Sequence, residues 1–196
     1  MAGAGMLWVG WFGFNAGSAV AADGRAGLAM LVTHIAAAAG ALSWMIGEWV
    51  MRGRPSLLGL CSGLVAGLVA ITPASGFVTP RSALLIGAVA GIMCYWGATG
   101  LKRLLRADDS LDVFGVHAVG GIVGSLLTGP LASKAVSGVT GDLLTQLIGV
   151  AAVFGYALVG TAILLVITKV LVGLRVDEQT ELAGLDIGQH RERLGT

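Results

Sequence analysis

From Met1 onward the chain is a succession of long apolar runs separated by short polar or charged stretches. A helix that crosses a bilayer needs roughly 20 mainly apolar residues. Six runs meet that length: about Ala2–Ala22, Ala26–Gly47, Ser56–Val78, Ser82–Leu101, Val113–Leu131 and Leu143–Leu174. The pattern predicts an all-α, polytopic membrane helix bundle of about six transmembrane helices. The first run is barely long enough and starts at Met1 with no polar anchor, which reads as a helix cut off at its start. The last, at about thirty residues, is too long for an upright span and is expected to tilt or to project beyond the bilayer. The third contains Gly67, Pro73 and Gly76. Proline removes a helical hydrogen bond, and broken membrane helices are tolerated where they are buried in protein or line a cavity. A kinked packing helix and a cavity-lining one both fit.

Composition agrees with the spans. Of 196 residues 56% are hydrophobic and 12% charged, and a soluble domain carries about twice that charged fraction. The 32 glycines suggest how the helices meet, because helices in lipid associate by close backbone approach at small residues. Small-xxx-small spacing recurs at Gly13/Gly17, Gly59/Gly63/Gly67, Gly87/Gly91 and Gly120/Gly124. The net charge of +1 provides no basic stripe for a nucleic-acid partner. Cys61 and Cys94 lie in apolar runs, where a thiol acts as a small hydrophobe. The spacing needed for a metal site or a CxxC motif is missing, and no metal or other cofactor is expected. The N-terminus lacks the basic n-region of a cleaved signal peptide.

Charge fixes an expected orientation. Arg52, Arg54, Lys102, Arg103, Arg106, Arg175, Arg191 and Arg193 fall on one side, and Arg25, Arg81 and Lys134 on the other. Positive loops stay cytoplasmic, which puts the C-terminus inside and runs the first helix from inside to outside.

Four groups of residues could carry chemistry. Trp11, Phe14 and Ser18 are spaced i, i+3, i+7 and share a helix face, with Ser18 at the outer mouth. A hydroxyl acceptor above two stacked aromatics suits a small cation, whose water an oxygen and π-faces can partly replace. The same spacing also describes an aromatic packing stripe near an interface. His117 stands in the apolar run Asp112-Val-Phe-Gly-Val-His-Ala-Val-Gly-Gly-Ile-Val-Gly124. An ionisable side chain at that depth is costly and marks a functional site by default. Gly120, Gly121 and Gly124 on the next turns leave a bare surface beside it, and an imidazole can pass a proton; a histidine bonded to a neighbouring helix is the plainer alternative. Asp108, Asp109, Ser110 and Asp112 crowd the start of the fifth span. One of them, Ser110 by residue type, is expected to cap the helix, with Lys102, Arg103 and Arg106 pairing with the acids. A cation-attracting cytoplasmic vestibule at Asp109 and Asp112 is the sharper reading. His34 is expected to pack, and Glu48 to pair with Arg52 at i+4. With no nucleophile elbow, P-loop or paired catalytic carboxylates, the sequence does not read as an enzyme.

Several strings, Trp11-Phe-Gly-Phe-Asn-Ala-Gly-Ser18, Gly47-Glu-Trp, Arg54-Pro-Ser-Leu-Leu-Gly, Leu101-Lys-Arg-Leu-Leu-Arg-Ala-Asp-Asp109, Asp112-Val-Phe-Gly-Val-His117 and Gly173-Leu-Arg-Val-Asp-Glu, resemble the ammonium transporter family (Amt/Mep/Rh), its bacterial members above all. The resemblance runs in order over essentially the whole chain. It implies a homotrimer with one pore per subunit, eleven helices per subunit and two inverted five-helix repeats followed by a long last helix. By similarity Ser18 would bind ammonium at the outer recruitment site, Phe14 would be one of two stacked gating phenylalanines, and Trp11 would line the pore. His117 would be the second of two pore histidines, where ammonium loses its proton so that ammonia and a proton cross separately. Residues 1–174 would be the transmembrane domain in the cell (inner) membrane and 175–196 a cytoplasmic regulatory tail. The cytoplasmic face of such trimers is also where a PII-type signalling protein docks. The chain starts inside what resembles the family's sixth helix, and His34 falls in what resembles its seventh, so His34 is not the first pore histidine. The expectation is a fragment or one half of a split transporter, with its polar lining exposed. A non-conducting module that joins full-length trimers is the competing expectation.

Overall fold

The structure is a computed structural model, and it describes residues 1–106 and 108–192. Arg193, counted above among the basic residues of the tail, lies outside them. The chain falls into two compact units, Met1–Val150 and Ala151–Thr196.

In the first unit the apolar runs become helices α1 (Ala2–Gly17), α2 (Gly24–Arg52), α3 (Leu57–Ile71), α4 (Pro80–Trp96), α5 (Lys102–Leu105), α6 (Val119–Leu131), α7 (Lys134–Ser137) and the start of α8 (Leu143–Leu171). Among the described residues five helical segments are long and apolar enough to cross a membrane. They correspond to all but the first of the expected spans. The first run yields only 16 helical residues, about 24 Å of rise against a hydrocarbon core of roughly 30 Å. The chain is a multi-pass helical membrane protein.

Local chemistry sets the ends. Asp23 caps α2 by accepting from the amides of Arg25 and Ala26 at 2.9 and 3.1 Å. Gly53, at φ 75°, stops the same helix in the left-handed conformation that costs glycine little. Ser56 caps α3 through the Gly59 amide, and Thr79 with Pro80 opens α4. Pro73 ends α3 in a 3-10 turn, Thr72–Ala74, earlier than the Val78 expected. The following segment bridges Val78 to Ala132, and Phe77 accepts from the Ser133 amide at 2.8 Å.

The core is a three-helix cluster in which α3 and α4 pack side by side against one face of α2. Gly63 lies against Gly40 and the Trp44 Cβ, and Gly67 against the backbone of Ala36 and Ala37. On the same face of α2, Gly87 of α4 meets the Ala36 backbone and Gly91 meets Gly40 and Ser43. The Gly59/63/67 and Gly87/91 pairs are therefore packing contacts, as are Gly120 and Gly124 of α6 against Cys94, Val69 and Ala70. Gly13 and Gly17 are not: a Cβ at either would meet nothing within 4 Å. Alanines fill the remaining core, with Val32, Ile71, Val78 and Ile86 the bulkier members of one cluster and Trp44, Cys94 and Val116 of a second.

α8 is 29 residues long, about 43 Å of rise, so the expected overlong last helix is present. It is apolar on every side and none of its residues is buried. In the second unit the end of α8 is followed by α9 (Glu178–Ala183) and a π turn, Asp186–His190.

Candidate functional site

Two sets of side chains stand out, one at each end of the first unit. Where α1 ends, α2 begins and α3 breaks, a cavity of about 330 Å³ is lined by Phe14, Asn15, Ser18, Arg25, Ser75 and Phe77 among others. Asn15 is only 3% exposed and donates to Thr33 Oγ1 at 2.9 Å, tying α1 to α2. Trp11 Nε1 donates to Thr72 Oγ1 at 2.8 Å, tying α1 to the 3-10 turn after α3. These bonds fix the face of α1 that carries Phe14 and Ser18. The interruption at Pro73 therefore does line a cavity, through Thr72 and Ser75 on either side of it.

Ser18 Oγ donates to the Phe14 carbonyl at 2.7 Å. With its proton committed, the hydroxyl offers lone pairs to the cavity, and it can serve as an acceptor for a ligand that brings its own N–H groups. Phe14 is 61% exposed. Its ring meets Trp11 at 5.9 Å between centroids with the planes at 67°, so the two are edge-on and not stacked as the spacing alone suggested. His34 is exposed, and its ring contacts are with α1: it stacks on Trp8 at 5.0 Å and leans on Phe12 at 6.0 Å.

At the other end, His117 sits in a π turn, Phe114–Ala118, that leads into α6. Its side chain is exposed. Of the glycines expected to clear space beside it only Gly121 faces an open surface, while Gly120 and Gly124 are buried against α3 and α4. The cavity holding Ser18 and Phe14 does not include His117. The cap of this turn is Asp109 and not Ser110: its carboxylate accepts from the Val113 and Phe114 amides at 2.8 and 2.9 Å. A carboxylate reaches two orphan amides at once and complements the positive end of the helix, so it outcompetes the hydroxyl. Asp112 pairs with Lys102 at 2.7 Å, the expected pairing of the loop's acids and bases.

Beside this turn a polar cavity of about 230 Å³ opens between Glu48, Arg52, Ser62, Tyr95, Lys102 and Asp112. Glu48 is 4% exposed. It pairs with Arg52 at 3.3 Å, and it also accepts from the Ser56 amide and hydroxyl at 3.0 and 3.0–3.1 Å. Its role is larger than the helix-surface pair expected, because it joins the end of α2 to the cap of α3. Arg52 and Lys102, which the charge pattern assigned to one side, do line one cavity, and Arg25 lines the cavity at the opposite end. Among the described residues no cluster of three or more His, Cys, Asp or Glu could hold a metal ion.

A bundle of membrane-length helices closed by glycine contacts defines a polytopic helical membrane protein. The Ammonium Transporter Family model matches residues 1–194, and the chain belongs to that family. It is 40% identical to an ammonium transporter of Bacillus subtilis over 97% of its own length and 50% of that relative. It is 47% identical to one of Aquifex aeolicus over 97% of the chain and 47% of the relative. Among solved structures it resembles a sensor Amt protein, at a TM-score of 0.88 and 33% identity, over 96% of this chain and 48% of the other. Saccharomyces cerevisiae Mep2 follows the same pattern, at a TM-score of 0.84 and 40% identity over 90% and 43%. The chain thus spans about half the length of the curated relatives it matches.

Proposed function

We propose that the chain supplies the outer mouth and one wall of an ammonium conduction path, and that it conducts when the remaining part of a full-length relative completes that path. The observation that carries the reading is Ser18, whose proton is held by the Phe14 carbonyl so that its lone pairs face a cavity shared with the Phe14 ring. An ammonium ion brings four N–H donors and a positive charge. It loses less by shedding water onto a hydroxyl acceptor and π-faces than an ion without donors does. Phe14 acts as the gate behind this site, and Trp11, held by Thr72, lines the path. At His117 an imidazole nitrogen accepts the proton that ammonium releases, leaving ammonia to cross as the neutral species. The exposure of Phe14 and His117 on this chain supports a lining face that another part of the path would cover.

The same reading puts the protein in the cell membrane as a homotrimer, with the C-terminus in the cytoplasm and residues 175–196 as a regulatory tail on the face where a PII-type partner docks. The start of that tail has structure of its own. A hydrogen-bonded Arg175 guanidinium holds the Glu181 carboxyl below its usual range, and the Thr180 amide and hydroxyl do the same for Asp177.

The test is methylammonium uptake by proteoliposomes holding this chain, alone and with a polypeptide corresponding to the relatives' other half. Uptake is expected only with the partner, and Phe14→Ala and His117→Ala should each change its rate or ion selectivity at least tenfold while assembly persists. Unchanged rate and selectivity in both variants would overturn the assigned roles. Uptake by the chain alone would replace the completed-path reading with an assembly of this chain's own copies.

A further inference from the structure

We infer that Lys102 and Asp112 are positioning residues: their ion pair, with a glycine-to-glycine backbone contact beside it, locks two facing π turns and so sets the direction of His117. The inference rests on the pore role proposed above for that histidine. π turns are rare and occur mostly as single interruptions of α-helices. Here one of them, Gly97–Leu101, ends α4 and another, Phe114–Ala118, begins α6. They touch through their first halves. A Cβ on Gly97 would stand 2.7 Å from the Gly115 carbonyl oxygen, and one on Gly115 would stand 2.7 Å from the Ala98 nitrogen.

The π turn changes where His117 points. In an uninterrupted α-helix, His117 and Gly124 would stand about 20° apart around the axis, since seven residues make nearly two turns. Gly124 and Gly120 are the residues of α6 pressed against α3 and α4, so the imidazole would be driven toward that packed stripe. A π turn advances less per residue, which swings His117 off the stripe and into line with Gly121, beside which space is open. The exposure of His117 follows from the π register.

Four bonds hold that register. At the far end Cys94 Sγ donates to the Val116 carbonyl at 3.5 Å. At the near end Asp109 caps the Val113 and Phe114 amides. Lys102, the first residue after one π turn, reaches Asp112, two residues before the other, at 2.7 Å. Asp112 makes that bond from a left-handed backbone, φ 55°, a conformation uncommon for a residue with a Cβ. The pair is half-buried, with each side chain 32% exposed, so it is screened less than an ion pair on the open surface.

The experiment uses the whole chain in lipid nanodiscs with ¹⁵N-labelled histidine, the His117 imidazole resonances being those lost in His117→Gln. In Asp112→Asn and in Lys102→Met, the His117 resonances should shift and broaden while those of His34 stay in place, a selectivity that general loosening would not give. Lys102→Arg, which keeps the pair, should leave them near their original positions, and the charge swap Lys102→Asp with Asp112→Lys should return them. His117 resonances unmoved in both single variants would overturn the inference. So would a swap that fails to restore them, which also decides the matter should the single variants lose their fold. Methylammonium uptake with the partner polypeptide is read separately. A silent wild-type with responsive His117 resonances would remove the pore reading and leave the lock.

Discussion

α1 and the α2–α3–α4 cluster are both rich in glycine, and they use it in opposite ways. Gly3, Gly5, Gly10, Gly13 and Gly17 of α1 have nothing within 4 Å of where a side chain would begin. Gly63, Gly67, Gly87 and Gly91 have a neighbouring helix backbone there. In the cluster the missing side chain is what lets helices meet without a hydrophobic drive between them. In α1 it leaves a smooth surface around Trp11 and Phe14, and the helix is held to the rest by polar bonds from Trp11 and Asn15 and by the Trp8 and Phe12 rings on His34. One region is closed by contact, and the other is left open with its position fixed.

The largest effect should come from filling the three-helix cluster. Gly67→Leu drives a side chain into the Ala36 carbonyl, and overpacking of this kind costs about 1–3 kcal/mol or more. Loss of the folded species in size-exclusion chromatography and a lowered Tm are expected; a wild-type Tm would mean the helices can separate at no cost. Next, Glu48→Gln removes the charge that joins α2 to the α3 cap, and hydrogen bonds to charged groups are worth roughly 1.5–3 kcal/mol. Its Tm should fall, but by less than that of Gly67→Leu. Trp11→Phe cuts one neutral bond between the two regions, about 1 kcal/mol, and should act locally: α1 amides exchange faster with deuterium while those of α2 keep their protection. Gly13→Ala should change the Tm least. It meets no atom and gains up to about 1 kcal/mol of helix propensity, so a marked loss of stability would show that α1 is closed by contact after all.

Most of the fold was legible in the sequence, because an apolar run of membrane length has few alternatives. The Gly59/63/67 ladder and the Lys102–Asp112 pairing were legible too, one from its spacing and the other from proximity of opposite charges. The π turns were not. In a segment such as Val113–Gly124 nearly every position is apolar or small, so one extra residue per turn leaves no break in periodicity. The same uniformity made Gly13/Gly17 look like a packing pair, since spacing does not tell which face of a helix has a neighbour. Ser110 was favoured over Asp109 on residue preference alone, whereas the cap is decided by which side chain the turn delivers to the free amides. Glu48 was read within its own helix, and its partner Ser56 lies beyond the Gly53 turn, where periodicity says nothing about direction. At the candidate site, spacing placed Trp11, Phe14 and Ser18 on one face but gave neither the edge-on angle of the rings nor the hydroxyl's bond to the Phe14 carbonyl.

The contrast between α8 and α6 bears on how the chain is made. α8 is the most apolar of the membrane-length segments and the segment ending in α6 the least. A helix like α8 can leave the translocon for lipid on its own account. α6, with its glycines and the polar groups of its first turns, gains from entering beside partners that already cover it. The order of synthesis meets that need: α3 and α4 emerge before α6, and the surfaces that receive Gly120 and Gly124 are in place when it arrives.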